Sequence, residues 1–209
     1  MKSLSKGFTL IELLFSTSLA LIILGFFFEL TAFLYRDYLH QGAFAESLQE
    51  SRIATSFFQN EIQNTGMDPL GTAFKAPNIG EPIMEASETV FHFMGDRNAN
   101  GNNKDGNEDV RYEWFGKNCN GGCEKKRPYT LYRKSGGENG SLQEMALGIE
   151  TFRLEYFDEN GNQLSSGLLE KAEREKIRSL KLTLQPVTKD KSRRGGREWI
   201  SEVYFKNIG

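Results

Sequence analysis

Asp96, Asn98, Asn100 and Asn102 put four oxygen-bearing side chains at alternate positions of one short stretch, with Gly101 inside it and Asp105, Glu108 and Asp109 following. Oxygens at the first, third and fifth positions with glycine at the sixth follow the opening of a Ca²⁺-binding loop, where alternation turns successive oxygens inward and glycine permits the sharp turn. The bidentate acid that should close such a loop at its twelfth position is replaced by Asn107, and Glu108 comes one place late. Closure then falls to Asp105, Glu108 or Asp109, and the competing reading is a solvated Asn/Gly-rich loop between strands. A structural Ca²⁺ is the one cofactor these residues suggest, and none is required.

Other reactive groups are sparse. Cys119 and Cys123 are separated by two glycines and an asparagine. That C-x₃-C spacing suits a disulfide stapling a loop in an oxidising compartment better than a redox motif or a metal site. Lys189, Lys191, Arg193, Arg194 and Arg197, offset only by Asp190, make a local charge of +4. This run reads as a solvated turn, with phosphate-backbone contact as the sharper alternative. It has no interleaved aromatic residues to stack on bases, so nucleic acid is a secondary expectation. His40 and His92 lie apart, and the sequence shows no nucleophile–base arrangement around either. No enzyme is expected.

The elements that position these groups follow from an uneven distribution of apolar residues. Apolar side chains are 38 % of the 209 residues, but 20 of the 28 positions from Phe8 to Tyr35 are apolar. An apolar rod therefore precedes a polar body. The net charge of −2 argues against a wholesale nucleic-acid binder. The 25 aromatic residues (16 Phe, 7 Tyr, 2 Trp) argue against a wholly disordered chain. Phe8–Glu29 as a helix rises about 31 Å, the thickness of a bilayer's hydrocarbon core. Lys2 and Lys6 precede it without an acid, which predicts a cytoplasmic N-terminus and a body across the membrane. Glu12 sits about one turn inside the apolar segment, with no basic side chain within a turn of it. Cleavage after Gly7 would leave an ammonium on Phe8, one helical turn from Glu12.

Lys6-Gly7-Phe8-Thr9-Leu10-Ile11-Glu12-Leu13-Leu14 resembles the leader and helix start of type IV pilins and type II secretion pseudopilins. The resemblance implies cleavage between Gly7 and Phe8 by a membrane prepilin peptidase, N-methylation of Phe8, and a role for Glu12 in pairing with a Phe8 amine during assembly. It implies the inner membrane, its assembly platform, and other minor and major pilins as partners. Ser51-Arg52-Ile53-Ala54 through Gly66, and the pair of strands expected at 177–187 and 197–206, are similar to PilW-type minor pilins and to GspJ-type pseudopilins. Many major pilins carry a proline midway along the N-terminal helix; here the first proline is Pro69, which favours a minor subunit. A pilus subunit helping to prime assembly at the tip is the leading expectation. The alternatives are a secretion pseudopilin, or a tip adhesin or DNA-binding module with a Ca²⁺-stabilised loop.

The expected organisation is a leader at 1–7, an apolar helix at 8–35, an amphipathic continuation at 36–66 and a periplasmic α+β body at 67–209. Phe44, Leu48, Ile53, Phe57, Phe58 and Ile62 are expected to form the buried stripe of the continuation. Residues 66–87 read as an irregular connection. Strands are expected at 88–94, 109–115, 129–134, 149–157, 177–187 and 197–206, with a hairpin turn at Asp158–Asn162 and a short charged helix at 168–176. Short connections make an antiparallel sheet the expected partner of the long helix.

Overall fold

The computed structural model describes residues 9–75, 80–117, 127–137, 140–187 and 198–208. It divides into two compact units, Met1–Glu46 and Ser47–Gly209. Helix α1 (Leu10–Ile62) contributes to both.

In the first unit, the most apolar 18-residue window of Leu10–Gly42 has a mean hydropathy of 2.2, and none of that window is buried. Leu13, Phe15, Leu21, Phe26, Phe28, Phe33 and Leu34 are all exposed. This is one helix long and apolar enough to span a membrane. Its hydroxyls suit that setting. Ser16 Oγ, Ser18 Oγ and Thr31 Oγ1 donate to the carbonyls of Glu12, Leu14 and Phe27, four residues back, at 2.7–2.8 Å. Thr17 Oγ1 donates to Leu13 and Leu14. Each donor is satisfied within the helix, as a surrounding without water demands.

The second unit is α+β. The last turns of α1 join a five-stranded antiparallel meander of β1 (Ile83–Ala86), β2 (Val90–Met94), β3 (Asp109–Phe115), β4 (Thr130–Ser135) and β5 (Ser141–Leu147). A second meander holds β6 (Ile149–Phe157), β7 (Ser179–Pro186) and β8 (Trp199–Tyr204), with the one-turn helix α2 (Lys171–Arg174) between β6 and β7. One residue, Gly148 at φ +70°, separates β5 from β6 and lets the chain leave one sheet for the other.

Period-two alternation sends Phe91 and Phe93 of β2, Val110 and Tyr112 of β3, Phe152, Leu154 and Tyr156 of β6, and Leu180, Leu182 and Leu184 of β7 into one core. Phe58 of α1 meets Tyr112 edge-on at 4.8 Å and Phe152 at 6.0 Å, so the helix end touches both sheets. Phe91 stacks on Phe93 and Phe205. Burying a side chain of this size stabilises the fold by about 1.5–3 kcal/mol.

Four expectations are corrected. The buried stripe of α1 consists of Ser51, Ala54, Phe58, Glu61 and Ile62, while Ile53 is 60 % and Phe57 43 % exposed. A polar residue is admitted to the stripe because a cation from the sheet meets it, as described below. Residues 83–86, read as irregular, form β1 against β2. Residues 141–147, for which no strand is expected, form β5 against β4. The Asp158–Asn162 turn forms, with Gly161 at φ +76° and Asp158 Oδ1 accepting the Asn160 and Asn162 amides. It returns the chain only to an isolated bridge, Phe157–Gln163, and the partner of β6 is β7.

α1 ends where its stop signals lie. Gly66 adopts φ +73° and its amide donates to the Met94 carbonyl at 2.9 Å. A Cβ at Gly66 would stand 3.0 Å from the Asn207 carbonyl oxygen, so the helix exit is also pressed against the C-terminal segment.

Candidate functional site

The β2–β3 connection is held by backbone first. The Gly95 amide donates to the Glu108 carbonyl and the Asp96 amide to the Met67 carbonyl, tying both ends of the loop to each other and to the exit of α1. A Cβ on Gly95 would collide with the Asn64 carbonyl, so only glycine allows this approach.

Asp96 is fully buried. Its Oδ1 accepts the Asn100 amide at 3.1 Å and its Oδ2 the Gly101 amide at 2.8 Å. Asn98, Asn100 and Asn102 each accept the amide two residues on, through their side-chain oxygens, at 2.7–3.1 Å. Their amide nitrogens all converge on Asp105, at 3.2 and 2.7 Å to Oδ2 and 2.5 Å to Oδ1. Glu108 is 4 % exposed; its Oε1 accepts the Arg97 and Asn98 amides at 2.8 and 2.9 Å. Its Oε2 is buried without a hydrogen-bond partner. Arg97, Asn98, Asp105, Asn107 and Glu108 line an open cleft.

The structure therefore brings Asn98, Asn100, Asn102, Asp105 and Glu108 together and sets Asp96 behind them as an anchor for the turn. Asp109 is directed elsewhere, its Oδ1 lying 2.5 Å from His92 Nε2. No carboxylate was expected beside His92; the pairing arises because β2 and β3 set residue 94 opposite 109. Among the described residues no three His, Cys, Asp or Glu side chains are disposed to hold a metal ion. Any cation at this loop would rest on two carboxylates and amide oxygens, a donor set for a hard ion.

A second polar cluster, absent from the sequence reading, lies under the helix end. Arg133 of β4 donates from Nε to Glu61 Oε2 at 2.8 Å and from Nη2 to Glu61 Oε1 at 2.7 Å. Tyr112 donates its hydroxyl to Glu61 Oε2 at 2.5 Å. Burial, and then the Glu61 carboxylate, push the Tyr112 hydroxyl well above its ordinary range. Arg133 Nη2 also donates to Asn107 at 3.3 Å, linking this cluster to the β2–β3 loop.

At the start of α1, Glu12 has a partner that is not a basic side chain. Glu12 Oε2 accepts the Thr9 amide at 2.9 Å and the Thr9 hydroxyl at 2.8 Å, and the Glu12 amide donates to Thr9 Oγ1 at 3.3 Å. This is a capping box, and the spacing Thr9-x-x-Glu12 before an apolar run is its sequence signature. Glu12 is thus hydrogen-bonded within its own helix, although no charge there neutralises it.

Gly7, Phe8, Cys119, Cys123 and the basic residues Lys189, Lys191, Arg193, Arg194 and Arg197 lie outside the described residues. No known family model matches the chain, and no curated protein matches it. An N-terminal apolar helix followed by antiparallel sheets is compatible with a pilin-like fold.

Proposed function

We propose that the chain is a structural filament subunit of the minor-pilin kind, inserted in the inner membrane, clipped between Gly7 and Phe8, and assembled through its N-terminal helix. The observation that carries this reading is the apolar surface of Leu10–Gly42, none of which is buried within the chain. In a membrane that surface is solvated by lipid. In a filament, neighbouring copies of such helices would cover it. Both surroundings serve one segment, and the leader-like residues Lys6–Leu14 supply the means of passing from one to the other. The body, with its own core across two sheets, would be the part carried outside.

In this reading a prepilin peptidase and methylase act on Gly7 and Phe8, and the assembly platform and other pilins receive the helix. Mass spectrometry of the mature N-terminus tests it. A species beginning at methylated Phe8 supports the proposal. An intact leader, in cells that process their other filament subunits, overturns it.

A further inference from the structure

We propose that the β2–β3 loop binds a divalent cation of the calcium type through Asp105, Glu108 and the side-chain oxygens of Asn98, Asn100 and Asn102. The proposal stands on this loop alone and is independent of the filament reading.

Glu108 is the first observation. It is 4 % exposed and is among the residues that line the same cleft as Asn98 and Asp105. Two backbone amides satisfy Oε1, while Oε2 has been taken out of water without a donor. Buried carboxylate oxygens are normally paired, and an uncompensated one is costly. Arg97 lines the cleft too, but its guanidinium makes no ion pair with Glu108. A cation in the cleft would supply what Oε2 lacks.

Asp105 is the second. Its carboxylate gathers three neutral amide groups, those of Asn98, Asn100 and Asn102. Each of the three oxygens accepts one backbone amide and has a second lone pair to offer.

Two carboxylates match the charge of a divalent ion. A set of oxygens from a loop, varied in kind and without imidazole or thiolate, suits the flexible six- to eight-fold coordination of Ca²⁺ better than the strict octahedron of Mg²⁺. The assignment narrows the set suggested by the sequence. Asp96 has both oxygens committed to backbone amides, and Asp109 is engaged by His92.

The test uses the full chain in detergent, stripped with a chelator and titrated with CaCl₂ or MgCl₂ at fixed ionic strength, read by calorimetry and thermal unfolding. Ca²⁺ at a hundredfold excess over its Kd is expected to raise Tm by about 5–10 °C. Mg²⁺ should do so less. Glu108→Gln should weaken Ca²⁺ binding at least tenfold while leaving the chelator-treated Tm unchanged or raised, since it removes the unpaired charge. Asp105→Asn, at a partly exposed position, should also weaken binding and decides the matter if Glu108→Gln does not fold. No Ca²⁺ response in the parent chain, or an undiminished response in Asp105→Asn, overturns the proposal.

Discussion

Glu61 and Arg133 form a bidentate ion pair between the last turn of α1 and the middle of β4, with side chains only 9 % and 5 % exposed. The pair lies where the end of α1 meets the five-stranded sheet, and Tyr112 adds a third donor to the same carboxylate. Its geometry satisfies the groups it buries, so the cluster is safe intact and costly when broken.

Removing one member should show this asymmetry. Arg133→Met leaves Glu61 charged and buried, and should cost about 3–5 kcal/mol. For a unit of this size that lowers Tm by roughly 10 °C. Replacing all three polar members at once (Glu61→Leu, Arg133→Met, Tyr112→Phe) should recover most of the loss, because no orphan remains. Thermal unfolding of the single and triple variants measures the difference. Equal losses in the two would mean that packing, not charge, holds the junction.

Alkali should attack the same cluster. Burial and Glu61 hold the Tyr112 hydroxyl protonated, and burial followed by the Glu85 charge does the same for Tyr156. Both are raised above an unfolded value of about 10. Their contribution to stability is therefore complete below about pH 10 and is lost as pH rises beyond it, where the unfolded chain releases protons that the folded one retains. In a pH-jump experiment, part of the tyrosinate absorbance from the seven tyrosines should appear only at the rate of unfolding. Tyr112→Phe and Tyr156→Phe should each reduce that slow amplitude. Complete tyrosinate formation with native circular dichroism intact would contradict the assignment.

The α+β class, the long helix with its exit at Gly66, and the β6 and β7 strands were readable because their signals are local: apolar periodicity and a glycine with proline behind it. β5 was not, since Leu142, Gln143, Glu144, Met145, Ala146 and Leu147 favour helix and become strand only by pairing with β4. Glu61 reads as a solvent-facing helix position. Its burial depends on Arg133, 72 residues away, and no local pattern encodes that meeting. The loop at 96–109 was legible as a concentration of oxygens. Which of them face the cleft was not, because the backbone amides that occupy Asp96 and the strand register that gives Asp109 to His92 are set by folding. The Thr9–Glu12 box was legible in the Thr-x-x-Glu spacing before an apolar run.

That box makes the role of Glu12 separable. If the carboxylate serves only to cap α1, Glu12→Gln keeps an oxygen that can accept the Thr9 amide and should be nearly neutral, whereas Thr9→Val removes the capping hydroxyl and should weaken the first turn by about 1 kcal/mol. Thr9→Val would then be the more harmful variant in every assay. If Glu12 instead pairs with the positive terminus that cleavage creates on Phe8, the order reverses. Thr9→Val would keep the charge and leave filament number near normal, while Glu12→Gln would lose the charge and reduce filaments at least tenfold at equal amounts of membrane-inserted subunit. Counting filaments by electron microscopy, with the subunit quantified in the membrane fraction, distinguishes the outcomes. The filament reading requires the second pattern: a carboxylate one turn inside an apolar segment costs on the order of 2–3 kcal/mol to insert, and a hydrogen bond to Thr9 reduces that cost without neutralising the charge.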